Sequence, residues 1–315
     1  MHTALSRRSF IHSGFKSCAA VAAAGLINPA GLAAGESFQR KGAARFALSL
    51  AAYSFRDFFK DASHRRDKKP DPSQAIDMFQ FIDYCAEHGC AGAEVTSYYF
   101  PESVTDEYLL KLKRHAFLRG VEISGTSVGN TFTFPAGEQR EREIKLVKRW
   151  IDHAQTIGAP HLRVFAGEVK GTSKDEAKKL CLEALEECGE YAGSKGVMLG
   201  IENHGGIVAE AETLLEIIQT VKSPWVGINL DTANFHTKAP YADLAKCAPH
   251  AVNVQMKTEV RAQGGKTEPA DLRRLFQILR DARYQGYIVL EYEAAEDPWQ
   301  AVPRTLEQMK KLMAA

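Results

Sequence analysis

Glu202, Asp231, Gln255 and Glu291 are the residues whose types and spacing are best suited to chemistry. Each closes a short apolar run: Gly200-Ile201-Glu202, Asn229-Leu230-Asp231, Val254-Gln255 and Val289-Leu290-Glu291. Three acids and an amide at the ends of four separate strands converge if those strands share one rim. Carboxylates brought that close repel and raise one another's pKa values. A divalent cation relieves the repulsion, and an all-oxygen donor set suits manganese, the favoured ion here, or magnesium as the alternative.

The elements that must position these residues follow from a repeating alternation after Arg45. Short apolar runs are expected as strands over 46–53, 91–96, 121–128, 161–165, 197–202, 226–231, 251–257 and 287–292. Longer amphipathic runs between them are expected as helices over 73–88, 106–119, 138–157, 174–195, 209–221, 241–247, 269–284 and 298–313. In the third helix Ile144, Val147, Trp150, Ile151 and Ala154 recur at helical spacing. Gly89, Gly120, Gly158, Gly196 and Gly286 each stand where a left-handed residue ends a helix.

Eight strand–helix units over 46–315 imply a single-domain α/β protein, a (β/α)8 TIM barrel, with chemistry at the carboxyl ends of the strands. A doubly wound sheet is the rival. Its glycine-rich fingerprint is missing after the first strand, where the chain reads Tyr53-Ser54-Phe55-Arg56-Asp57. The charged, proline-containing stretch 57–72 is expected as a long loop over the barrel mouth.

The chain has 315 residues, 40 basic and 39 acidic, for a formal net charge of +1. That balance leaves no basic footprint for nucleic acid, and 45% hydrophobic residues exclude general disorder. Ser6-Arg7-Arg8-Ser9-Phe10-Ile11 resembles a twin-arginine export signal, followed by an apolar stretch over 18–27 too short to span a bilayer. The expectation is a signal over 1–34, a linker over 35–45, and a periplasmic or secreted barrel with no membrane attachment after cleavage. Cleavage would leave Cys85, Cys90, Cys181, Cys188 and Cys247, an odd number with no CxxC, read as small buried hydrophobes.

The segments Gly200-Ile201-Glu202-Asn203-His204, Leu230-Asp231-Thr232-Ala233-Asn234 and Leu290-Glu291-Tyr292 resemble the xylose-isomerase-like barrels of the sugar phosphate isomerases/epimerases. The resemblance covers roughly 46–312. It implies one metal on Glu202, Asp231, Gln255 and Glu291, with Gln255 standing where relatives have histidine; the alternative is that Gln255 contacts substrate and water completes a three-carboxylate site. It implies a proton moved beside a sugar carbonyl by the catalytic pair Glu202 and Glu291, with Asp231 a ligand only. Substrate contacts are expected from His204, Asn234, Lys257 and Arg261. Lys257 either neutralises an enediolate or pairs with Glu291 or Glu259. Arg163, if inward, requires an acid such as Glu94. Tyr98, Tyr99, Phe100, Phe132 and Phe134 form a candidate sugar platform.

Export argues for a non-phosphorylated small-molecule sugar, because sugar phosphates are kept in the cytoplasm. The same site could eliminate a glycosidic substituent from a 3-keto-glycoside. A non-catalytic carbohydrate-binding barrel is the alternative of a different class. Association into homo-oligomers is a further expectation from the resemblance.

Overall fold

The computed structural model describes residues 37–62, 71–169 and 171–315. The export signal expected over 1–34 lies outside the described residues, as do the first residues of the expected linker. Eight parallel strands close into a barrel in the order β1-β10-β7-β6-β5-β4-β3-β2. They are β1 (Arg45–Ala51), β2 (Gly92–Thr96), β3 (Glu122–Ser127), β4 (His161–Phe165), β5 (Met198–Glu202), β6 (Val226–Asp231), β7 (Ala251–Met256) and β10 (Gln285–Leu290). A small antiparallel ladder, β8 (Glu259–Val260) with β9 (Glu268–Pro269), follows β7.

Among the described residues the α-helices are α1 (Met78–Glu87), α2 (Asp106–Leu118), α3 (Glu138–Ile157), α4 (Lys174–Lys195), α5 (Ala211–Thr220), α6 (Pro240–Cys247), α7 (Leu272–Asp281) and α8 (Pro298–Ala314). On α3, Val147, Trp150, Ile151 and Ala154 are buried, as their spacing requires. Among the described residues all five cysteines are free and buried. Among the described residues no helix is long and apolar enough to cross a membrane.

Two expectations are corrected. The first helix begins at Met78 rather than near Ser73, because Asp77 caps it: its side chain accepts from Gln80 N while Gln80 reaches back to the Asp77 amide. Gly286 is not a helix terminator but lies inside β10, and the left-handed turn after α7 falls on Arg283 (φ 52°). Gly286 makes room instead, since a Cβ there would lie 2.6 Å from Tyr284 Oη. Gly158 and Gly196 do terminate α3 and α4, with φ of 82° and 70°.

The barrel interior is polar below the rim. Ser49 and Ser124 share a hydrogen bond of 2.7 Å, and Glu94, Asn229, Asn253 and Gln255 are all buried there. Gly125 lets the His161 ring enter this layer, since a Cβ would fall 1.9 Å from the imidazole. Register sets the level of the rim residues. Phe165 pairs with Glu202, Asp231 with Gln255, and Leu290 with Met256, which puts Glu291 beside Lys257 one step later.

Candidate active site at the carboxyl-terminal rim

Glu202 ends β5 and is 4% exposed. Its Oε2 lies 2.9 Å from Arg163 Nε, and its Oε1 accepts from His204 Nδ1 and from Asn234 Nδ2, both at 2.9 Å. Burial alone would raise the carboxyl's pKa. Arg163, His204 and Lys257 outweigh that and hold it below the usual value. His204 shifts the other way, raised by its hydrogen bond to Glu202 against its partial burial. Arg163 therefore points inward, but its acid is Glu202, not the expected Glu94. The guanidinium also donates to Val128 O at 3.0 Å and lies 4.0 Å from the Phe165 ring centroid.

Asp231 ends β6 and is fully buried. Its Oδ1 accepts from the amides of Ala233 and Asn234. Its Oδ2 has no hydrogen-bond partner and faces Lys257 Nζ at 3.3 Å. Burial raises this carboxyl to about 6, in spite of Lys257. Asn203, beside the acid of the preceding strand, holds Asp231 in place by bonding both its backbone N and O at 2.9 Å.

Lys257 follows β7 directly, and its ammonium is surrounded by acids. Glu291 Oε2 lies at 2.7 Å, Glu293 Oε1 at 3.0 Å and Asp231 Oδ2 at 3.3 Å. Desolvation acts to lower the lysine's pKa, but the three carboxylates raise it well above normal. Glu291 is likewise buried, and desolvation drives its carboxyl up to about 8, opposed by Lys257 and reinforced by Glu293, Asp231 and Glu202. Two acids on one rim are thus pushed apart, Glu202 downward and Glu291 upward, the pattern that separates acid and base roles.

Gln255 is drawn into a different network. Its Nε2 donates to Glu94 Oε1 at 2.7 Å, and its Oε1 accepts from Asn229 Nδ2 at 2.6 Å. Asn253 Nδ2 completes the ring, 2.8 Å from both Asn229 Oδ1 and Glu94 Oε2. Glu94 sits in this ring with its carboxyl pushed up to about 7, chiefly by burial. Gln255 is thereby tied into the polar network of the barrel interior, its amide oxygen accepting one hydrogen bond and its amide nitrogen turned to Glu94.

The four expected metal ligands do not fit a divalent ion as they stand. Gln255 is hydrogen-bonded into the barrel interior, Glu202 is engaged by Arg163, His204 and Asn234, and the Lys257 ammonium lies 3.3 Å from Asp231 and 2.7 Å from Glu291. Among the described residues no group of three or more His, Cys, Asp and Glu side chains is arranged to hold a metal.

A cavity of about 430 Å³ opens above this rim. Tyr53, Tyr98, Tyr99 and Phe165 form its aromatic wall, while Arg163, Glu202, Lys257 and Glu291 form its polar floor. Of the expected sugar platform, Phe100 and Phe132 are instead core residues, Phe100 packing edge-on against Trp150. A second recess of about 230 Å³ shares Lys257 and Glu293 and is lined by Asn234, His236 and Arg261. Arg261 is exposed there, and its backbone oxygen lies 3.2 Å from His236 Nδ1. His204, Asn234 and Lys257 are thus brought to the carboxylates, and Arg261 to the neighbouring recess. Glu293 was not anticipated. Its signal is its place two residues beyond Glu291, on the same side of an extended chain.

Comparison with known proteins agrees with this architecture. Residues 82–312 match the family model described as the xylose isomerase-like TIM barrel. The inosose dehydratase of Erwinia tasmaniensis is 25% identical over 278 residues, covering 75% of this chain and 89% of that one. The putative hydroxypyruvate isomerase of Homo sapiens is 25% identical over 240 residues, covering 66% and 82%. Among solved structures, the IOLI protein with a bound zinc atom superposes with a TM-score of 0.66 at 19% identity, covering 85% of this chain and 96% of its own. By its matched length and its closed barrel, the chain belongs to the xylose isomerase-like TIM barrel family.

Proposed function

We propose that the protein is a sugar isomerase or epimerase that moves a proton at a carbon beside a carbonyl of a non-phosphorylated sugar. The observation that carries the reading is the opposed pair Glu202 and Glu291 on the floor of one cavity. Glu291 is the base. It is buried, and its raised pKa brings its basicity close to what proton abstraction at neutral pH requires. As the proton leaves carbon, negative charge grows on the carbonyl oxygen, and Lys257 lies within reach of Glu291 to meet it. Glu202, held ionised by Arg163, favours the protonated form of its hydrogen-bonded partner His204, which supplies the returning proton. The aromatic wall of Tyr53, Tyr98 and Tyr99 packs the sugar ring.

The reading includes export by the twin-arginine route and self-association as the sequence expects them. Manganese, the ion the sequence favours, enters only by displacing Lys257 from its three carboxylates. Elimination is the second reading, favoured by the dehydratase relative and by the recess beside Lys257, which has room for a departing group. Both reactions begin with the same abstraction.

A product panel separates them. Incubation with free ketoses, their phosphates, an inosose and a 3-keto-glycoside, followed by chromatography, is expected to show conversion of a non-phosphorylated substrate. An isomeric product supports the first reading, and a released substituent or water the second. Turnover confined to phosphorylated sugars would overturn the substrate class, and no turnover of any would favour a carbohydrate-binding barrel.

The pH profile follows from the sign of the Glu291 shift. The base works only when unprotonated, so activity falls as pH drops through its pKa. With burial raising that value, the acidic limb of kcat/KM is expected well above the ~4.3 of an ordinary glutamate. Measurement of kcat/KM across the neutral range checks this, and a limb at an ordinary carboxylate value would remove Glu291 from the role.

A further inference from the structure

We propose that Lys257 is the resident cation of this site, taking the place that the family resemblance assigns to a divalent metal. The inference rests on the proton-transfer reading only for what the cation stabilises, not for its place among the acids. Three observations carry it. The ammonium has three N–H bonds and three carboxylate neighbours, Glu291, Glu293 and Asp231, at 2.7, 3.0 and 3.3 Å. The lysine is buried, with 7% of its side chain exposed, so the acids meet a cation largely out of water. Gln255, the residue aligned with a ligand by the family resemblance, is turned into the ring with Glu94, Asn229 and Asn253.

Charge is accounted for on both sides of the rim. Arg163 faces Glu202, and Lys257 faces the other acids, so two fixed cations divide the carboxylates between them. Buried acids that lack a partner are strongly destabilising, whereas here each has one. The backbone fixes the lysine's approach, since its amide donates to Thr232 Oγ1 at 2.9 Å and ties the end of β7 to that of β6.

The arrangement also gives the lysine a step in the reaction. When Glu291 takes the proton from carbon, the C–H electron pair becomes a carbon–carbon double bond and the carbonyl π pair moves onto the oxygen. Glu291 becomes neutral and its hold on Lys257 weakens. The N–H that pointed at Glu291 is then available to the new oxyanion, and the ammonium keeps all its protons. Once carbon is reprotonated and Glu291 releases its own proton to solvent, the Glu291–Lys257 pair is restored. The lysine donor thus follows the negative charge from the base to the substrate and back.

The test uses the intact protein and Mn²⁺ as the probe, with Lys257→Ala as the variant. Wild-type protein purified without chelators is expected to hold far less than one equivalent of divalent metal by elemental analysis. Mn²⁺ should leave its melting midpoint unchanged, and any turnover should survive dialysis against EDTA. Lys257→Ala removes the cation, so the freed carboxylates should bind Mn²⁺ at least ~100-fold more tightly than wild type by calorimetry. If the variant folds poorly alone, Mn²⁺ should raise its midpoint where it does not raise that of wild type. One equivalent of metal in wild type, or EDTA inactivation reversed by Mn²⁺, would overturn the proposal. Metal content and midpoints need no substrate, so their outcome stands apart from that of the functional reading.

Discussion

Glu291→Gln is expected to lower kcat by roughly 10²–10⁴-fold, the contribution typical of a positioned general base, while the protein stays folded. Glutamine keeps the shape of the side chain and an oxygen that can accept from Lys257, but it cannot take a proton. Asp231 and Glu293 remain around the ammonium, so the lysine does not become an unpaired buried charge. Burial disfavours the charged form of Glu291, so its loss removes little stability. Steady-state kinetics and a thermal melt on the same preparation check both halves. A variant that melts like wild type and turns over at the wild-type rate would exclude Glu291 as the base. One that fails to fold would show that the carboxylate is chiefly structural.

Arg163→Met is the second large effect, and it falls first on stability. Arg163 and Glu202 are each 4% exposed and 2.9 Å apart, and the arginine also supplies the donor to Val128 O. Methionine keeps much of the apolar contact with Phe165 but leaves Glu202 with only His204 and Asn234. Breaking a buried pair on one side costs about 3–5 kcal/mol. The pH dependence has a definite sign. In wild type the folded-state pKa of Glu202 is depressed, so its stabilisation is present above the unfolded value and lost as pH falls through the folded one. The deficit of the variant should therefore be largest near neutrality and shrink on acidification below ~4.3. Denaturant midpoints at neutral and acidic pH would show it. A constant deficit would mean that packing, not charge, is what the arginine contributes. Turnover should fall as well, because Glu202 would no longer be held ionised.

Much of this arrangement can be read along the chain because barrel strands and helices repeat on a regular beat. The ends of β4 and β6, and both ends of α3 and α4, match the periodicity to the residue. The acids at the strand ends are visible for the same reason: apolar runs stop where the carboxyl-terminal rim begins. The start of α1 is not visible, since apolar spacing extends past the point where the Asp77–Gln80 capping box takes over. Gly286 misleads because a glycine after a helix and a glycine making space for Tyr284 look alike in one dimension.

At the site, what stays hidden depends on partners far apart in sequence. Gln255 has an amide that suits a hard cation, and only the fold reveals that Glu94, 161 residues away, accepts a hydrogen bond from its nitrogen. Arg163 declares a need for an acid but not which one, since both Glu94 and Glu202 lie on the barrel interior. Lys257 has alternatives that the sequence leaves open. Closure of β10 against β7 selects Glu291, and the extended chain beyond it adds Glu293. Side-chain types thus reveal a charged rim, while strand register decides whether its cation is borrowed or built in.

The central claim is that this rim removes a proton from carbon beside a carbonyl. Deuterium wash-in tests it most directly: a non-phosphorylated substrate from the product panel is incubated in D₂O and followed by proton NMR. Wild type is predicted to replace one carbon-bound proton beside the carbonyl, and Glu291→Gln to slow that exchange at least ~100-fold. Conversion of the substrate with no deuterium gained at that carbon, or exchange undiminished in Glu291→Gln, would contradict the account.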